Sequence, residues 1–413
     1  MRELRSKKNR IILATLEYVF AFFVILDCNS VWHAQYNADY SFDKICCVLS
    51  FALMVVAVSQ LGGKKIQLRY PILIVFLTTS YYVLSGGTAS FRAFAIMFII
   101  GMPCMIIYFD RCFMRHRPFV LFFKIENIIV LLSALGGLLW IAGPLLGVLS
   151  TNTTITIDWG GFKTIEGYFN LLYESQQADT SFTESRIVRN CLIFTEGPMY
   201  NLWVSHSLFV EFFFRPKKSL ARVTILLFSL ITIFSTTAYL GILLFVGFYL
   251  LKKFFCSNHK YWYLFVVLSF LPLIIYVSLL LLENKAEANA LSYDTRLNDY
   301  VVGYLLWQSN PIFGTGYANV DDLFLGGDRT EMGFSNSSLA ILATGGIWMM
   351  TIVFYPIFRC IGIGYHNKVY HMLFYALFLL YLLTVAIFFA RFALAVFIAF
   401  LYAISNLTLK NLK

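Results

Sequence analysis

Residues 126–148 read ENIIVLLSALGGLLWIAGPLLGV, one carboxylate followed by an unbroken apolar run. Wound as a helix, about 20 such residues cross the roughly 30 Å of hydrocarbon in a bilayer. A helix on the surface of a soluble core needs only one apolar stripe, whereas this run is apolar on every side. Similar runs recur near 11–28, 43–61, 71–86, 93–109, 197–213, 223–236, 238–251, 261–282, 337–358, 371–389 and 392–408. The composition agrees: of 413 residues, 59% are hydrophobic and 13% charged, with a mean hydropathy of +0.73. Soluble domains carry about 25% charged residues. The expected fold is an all-α, polytopic transmembrane bundle of roughly twelve spans, a single integral membrane domain over 1–413.

The net charge of +10 does not point to nucleic acid, because the basic residues sit in short clusters between apolar runs. Clusters of that kind mark cytoplasmic loops and attract anionic lipid headgroups. One set of loops holds Arg2, Arg5, Lys7, Lys8 and Arg10, then Lys64, Lys65 and Arg69, then Arg111, Arg115 and Arg117. It continues through Arg215–Arg222, Lys252–Lys260 and Arg359–Lys368 to Lys410 and Lys413, while the alternate short loops hold little more than Lys44, Arg92 and Arg391. Both termini are therefore expected in the cytoplasm. The alternation requires two helices within 223–251, hinged at Ser235-Thr236-Thr237. The first apolar run follows a basic segment and lacks a small-residue cleavage pattern, so it is expected to stay as a span.

Two long polar loops, 150–195 and 283–336, fall on the outer side. Loops of that length are uncommon unless functional or disordered, and Trp159, Tyr168, Tyr173, Tyr293 and Tyr317 within them argue against plain disorder. The eight cysteines have no metal-ligand spacing. There is no P-loop and no dinucleotide-binding glycine pattern, and no cofactor is expected.

Three polar constellations stand at these loops. In the first, Arg186 and Arg189 share a face if wound as a helical turn, and Glu196 stands where the next span begins, before Gly197-Pro198. Paired guanidinium forks suit phosphate oxygens. A carboxylate at a membrane mouth is costly and points to function; a helix cap paired with an arginine is the other reading. The second is Tyr293-Asp-Thr-Arg-Leu-Asn-Asp-Tyr300, then Trp307, then Pro311-Ile-Phe-Gly-Thr-Gly316. Arg296, Tyr300, Gly303 and Trp307 recur at helical spacing, as in an interfacial helix. Gly314-Thr315-Gly316 reads either as an anion cradle of backbone N–H groups or as a plain turn. The third, Ser335-Asn336-Ser337, begins a span and reads as N-capping. Arg391, between the last two runs, reads as a third phosphate ligand or a topology anchor.

In this order, the three constellations resemble the superfamily of O-antigen polymerases and ligases, bacterial membrane glycosyltransferases of the GT-C type. Arg189, Ile193-Phe194, Glu196 and Pro198 take the places of the polymerase pattern. Arg296 and Pro311–Gly316 resemble the arginine-bearing helix and the Pro-x-Phe-Gly-x-Gly step, and Asn336 and Gly346-Ile347 the ligase His-Asn pair and following Gly-Ile. The chain departs at Gly197, which separates Glu196 from Pro198. It departs again at Ser335, where ligases carry histidine, and at Ser235-Thr236-Thr237, where many carry Ser-Arg; the last two favour a polymerase.

The resemblance implies transfer of glycan between undecaprenyl-pyrophosphate-linked repeat units, donor and acceptor alike, at the periplasmic face of the inner membrane. A chain-length regulator is a further expected partner. Arg189, Glu196 and Arg296 are the expected catalytic residues; Arg186, Asp294, Asp299, Arg329, Asn336 and Arg391 are the expected substrate-binding ones. A ligase, or a flippase of lipid-linked oligosaccharide, is the competing reading. A flippase should line its mid-membrane with charge and show repeat symmetry, whereas here charges avoid the span centres and no repeat is visible.

Overall fold

A computed structural model describes residues 2–60, 66–86, 91–158, 162–178, 187–256, 262, 290–319 and 334–406; side chains are described for all of these except 2–9, 37–38, 40, 158, 256 and 290–297. The expected run at 261–282 lies outside the described residues. The protein is mostly helical. The helices are α1 (Arg2–Asp27), α2 (Val31–Tyr40), α3 (Phe42–Ser59), α4 (Arg69–Leu84), α5 (Phe91–Met114) and α6 (Val120–Leu145). After the first long loop come α7 (Gly197–Phe209), α8 (Leu220–Thr232), α9 (Thr236–Cys256) and α10 (Ala290–Ser309), then α11 (Ser337–His366), α12 (Tyr370–Val385) and α13 (Phe392–Ser405). Five of them, α3, α5, α6, α9 and α11, are long and apolar enough to cross a membrane.

The first long loop corrects the all-α expectation. Strands β1 (Thr153–Asp158), β2 (Phe162–Tyr168) and β3 (Leu172–Tyr173) form one small sheet in that order. Gly167 pairs with Tyr173, and Tyr168 with Leu172. Strands β4 (Gln177–Ala178) and β5 (Ile187–Val188) form an antiparallel pair. The physical reason is a period of two: in Thr153-Thr-Ile-Thr-Ile-Asp158 the buried residues are Ile155 and Ile157, and β-branched residues alternating in this way favour a strand.

Contacts divide the chain into two compact units: 1–128 with 157–163 and 299–413, and 129–156 with 164–298. In the first, α13 is the central helix. Every one of its residues is buried, as expected of a helix apolar all round, and it packs against α1, α5 and α11. Gly101 of α5 lets the Phe392 ring approach to where a Cβ would stand, at 2.6 Å. Helices nearer the periphery turn apolar side chains outward: Phe76 is 66% exposed and Val83 70%. Patches of that sort suit lipid, not water.

Helix direction in this unit is fixed by contacts between ends. Asp27 at the end of α1 accepts the Phe392 N–H at the start of α13, and Tyr81 near the end of α4 packs on Phe94 at the start of α5. Ser337 at the start of α11 donates to the Ala386 carbonyl just after α12. At the opposite end, Arg115 after α5 donates to Gln60 after α3 at 2.7 Å. Direction therefore alternates, with Arg92 and Arg391 at one end and Arg115 at the other.

In the second unit α7 packs against α8 and α9. The hinge expected at 235–237 is a real break: α8 ends at Thr232, Phe234 has φ +48°, and α9 starts at Thr236. The Ser235 and Thr237 hydroxyls share a hydrogen bond of 2.8 Å. Trp140 of α6 donates to the Val188 carbonyl of β5 at 2.9 Å and packs on Phe228 and Phe234, so the sheet sits at this end. The opposite end carries the Glu211–Arg215 ion pair at 3.1 Å.

Candidate functional site

The turn from Arg189 to Gly197 is stitched into the second unit by its backbone. Arg189 N–H donates to the Gln176 carbonyl at 2.9 Å. Asn190 reaches Thr232, the last residue of α8, twice: N–H to the carbonyl at 3.0 Å and Nδ2 to Oγ1 at 3.0 Å. Gln176 Oε1 accepts the Gly197 N–H at 3.1 Å, and Leu192, at φ +53°, turns the chain. Arg189 follows a strand, Ile187–Val188, not a helical turn. The helical face expected to carry Arg186 and Arg189 together is therefore absent on the Arg189 side, because β5 is held in pairing with β4. Arg186 lies outside the described residues.

On this fixed turn the Arg189 side chain is half-buried, and its Nε is buried without a hydrogen-bond partner. An unsatisfied donor on a guanidinium is expensive to bury. Glu196 occupies the N-cap position of α7 in extended backbone (φ −151°, ψ 153°), yet its side chain makes no capping bond. Both charges act on the Cys191 thiol between them. Burial pushes that thiol up to about 11, a Ser175 hydrogen bond and Arg189 oppose the shift, and Glu196 adds to it. Cys191 is therefore neutral near pH 7 and no nucleophile. Arg189 also interacts electrostatically with Tyr239, at the start of α9. The site thus includes Tyr239, which sequence reading missed because its partner lies 50 residues away.

In the first unit the Pro311–Gly316 segment has a different role from an anion cradle. Helix α11 breaks at Gly346, φ +60°. The break frees two N–H groups, Ile347 and Trp348, and two carbonyls, Ala343 and Thr344. Ile347 and Trp348 donate to the carbonyls of Pro311 (2.9 Å) and Ile312 (3.1 Å); Ala343 and Thr344 accept from Thr315 (3.1 Å) and Gly316 (2.9 Å). Gly314 N–H goes to the Asn310 carbonyl at 2.8 Å. The three N–H groups of Gly-Thr-Gly are thus consumed within the protein. Non-helical backbone inside a membrane bundle survives only when its freed groups are satisfied in this way. Glycine is required at both contacts: a Cβ on Gly314 would lie 2.4 Å from the Thr344 carbonyl carbon, and one on Gly346 2.3 Å from the Ile312 oxygen. Tyr81 completes the lock, donating to the Phe313 carbonyl at 2.9 Å and accepting the Tyr317 N–H at 3.1 Å.

Asp299 and Asn336 hold the start of the same helix. Asp299, fully buried, accepts the Ser335 N–H at 3.0 Å and the Ser335 hydroxyl. Asn336 is the N-cap, its Oδ1 taking the Leu339 N–H at 3.2 Å. Their polar groups join α10 to α11, a structural use that leaves the proposed substrate-binding role of both without geometric support. Arg296 lies on the α10 backbone, as the helical spacing predicts, and so does Asp294. Arg329 lies outside the described residues.

Arg391 stands at the N-terminus of α13, beside His33 and Asp27. Its Nη1 approaches His33 Nε2 at 2.9 Å, and that nitrogen lies 3.8 Å from Asp27 Oδ1. Burial and then Arg391 hold the His33 imidazole down, to about 3, so it is neutral and accepts from the guanidinium. With carboxylates around it, Arg391 is a poor ligand for a phosphate. No family model, no curated protein and no solved structure matches the chain.

Proposed function

We propose that the chain is a membrane glycosyltransferase that polymerises undecaprenyl-pyrophosphate-linked repeat units into O-antigen or capsular polysaccharide at the periplasmic face of the bacterial inner membrane. Its bundle then has twelve spans of the GT-C type with both termini cytoplasmic. The alternation of helix ends within each unit, with basic loops at one end, supports that orientation. The observation that carries the reading is the turn at the mouth of α7, where Arg189 keeps a buried, unpartnered Nε.

The acceptor hydroxyl attacks the anomeric carbon of the donor glycan. A new carbon–oxygen bond forms as the bond to the pyrophosphate oxygen breaks, and the electron pair leaves with undecaprenyl pyrophosphate. Arg189 and Arg296, with Arg186 in support, hold the charge that grows on the leaving group; fixed donors of this kind contribute most where charge develops. Glu196 takes the proton of the attacking hydroxyl, with Asp294 in reserve. A lipid-tethered donor needs no nucleotide-binding motif.

The test is to delete the gene and resolve the surface polysaccharide on a gel. The expected result is loss of the ladder with one repeat unit retained on the lipid A core. Loss of every repeat from the core would identify a ligase or a flippase instead.

A further inference from the structure

The first unit holds a cavity of about 290 Å³ that the proposed chemistry does not use. It lies where the end of α1, the start of α2, the start of α3, the start of α5 and the start of α13 meet, and its polar lining is Asp27, His33, Ser41, Asp43, Arg92 and Arg391, over Met97 and Phe392. Asp27 and His33 are buried, while Arg92 is exposed at the rim. Asp27 Oδ2 takes the Phe392 N–H at 2.8 Å, which anchors the pocket on the central helix. Two of the few cations of the alternate loops, Arg92 and Arg391, come from opposite ends of the sequence to this one place.

The charges balance: two guanidiniums face two carboxylates, and the imidazole is held neutral by its burial and then by Arg391. A polyanion such as pyrophosphate would meet both carboxylates, and a cation would meet both arginines. Among the described residues no three His, Cys, Asp or Glu groups are placed to hold a metal ion. Guanidiniums only donate and carboxylates only accept, whereas each sugar hydroxyl does both. We infer that this cavity binds an uncharged sugar residue, its hydroxyls spanning the arginines and carboxylates and its C–H face on Met97 and Phe392. That the sugar belongs to the glycan substrate rests on the function proposed above; the binding does not.

The experiment is saturation-transfer NMR on the full-length protein in nanodiscs, with glucose, galactose, mannose, rhamnose, N-acetylglucosamine and N-acetylgalactosamine as probes. At least one saccharide is expected to bind without displacement by inorganic pyrophosphate. Asp43→Asn and Arg92→Gln should each weaken it about tenfold or more, the effect of losing a charge-assisted hydrogen bond, with circular dichroism unchanged. Arg189→Ala should bind it like wild type. Binding of none of the six, unchanged binding by both variants, or displacement by pyrophosphate overturns the inference. If sugar binds while Arg189→Ala still makes full-length polymer, the pocket stands and the polymerase reading falls. If no sugar binds while that variant makes none, the reverse holds.

Discussion

Two segments were candidates for holding an anion in the sequence, the turn from Arg189 to Gly197 through its guanidinium and the segment from Pro311 to Gly316 through its backbone N–H groups, and the structure separates them. In the second, each N–H of Gly-Thr-Gly has a protein acceptor, and the four groups freed by the break in α11 are taken up. In the first, the backbone is tied at the Arg189, Asn190, Phe194 and Gly197 N–H groups, but the Arg189 guanidinium keeps a buried donor without a partner. In the second segment only the backbone is fully used, since the buried Thr315 hydroxyl has no partner. In the first the group left over is a guanidinium N–H, which costs more to bury unpaired than a hydroxyl does and marks a turn whose work is done on something else.

The largest effect is expected at Arg189. Arg189→Ala should lower polymer formation by roughly 10²–10³-fold, the size of losing one preorganised donor, while thermal unfolding in detergent barely moves. Arg189→Lys should recover little, because an ammonium lacks the planar fork; full recovery would mean that charge alone suffices.

Gly346→Ala tests the other side of the comparison. Left-handed backbone on a residue with a Cβ costs about 1–3 kcal/mol, with the 2.3 Å approach to Ile312 added. The variant should unfold at markedly lower temperature. Gly362→Ala, where a Cβ meets nothing within 4 Å, should stay within about 0.5 kcal/mol of wild type. Equal stability of the two would break the lock.

Asp299→Ala should cost about 1–3 kcal/mol by leaving Ser335 groups unsatisfied, read as a lower unfolding midpoint, with polymer length retained in the folded fraction. A specific loss of polymer without loss of stability would return Asp299 to the chemistry.

The smallest effect is a pH dependence from His33. Its folded pKa lies near 3, below the ordinary 6.5, so the unfolded chain binds more protons between those values and stability falls as pH falls through that window. From pH 6.5 to 5.5 the His33 contribution to that loss should be about 1 kcal/mol, read as the difference between wild type and His33→Gln over that range. A midpoint independent of the residue at 33 would contradict the neutral imidazole.

The helices were legible in the sequence because bilayer-length apolar runs have few other uses, and the break at Ser235–Thr237 followed from charge alternation alone. The sheets were not, because a period of two in Thr153–Asp158 is short and lies in a loop read for its polarity and its aromatic residues. Arg189 and Glu196 were legible as a pair, since they flank one turn. The pocket around Arg391 was not, as Asp27, Asp43, Arg92 and Arg391 meet only through helix packing. The use of Gly314 and Gly346 on each other was hidden for the same reason: a backbone-to-backbone contact leaves no side-chain signature.

The most direct measurement is single-turnover release of undecaprenyl pyrophosphate by purified protein given a lipid-linked repeat unit, comparing wild type with an Arg189→Ala variant of matched thermal stability. The account predicts release at least about a hundredfold slower in the variant. Release at the wild-type rate would contradict it.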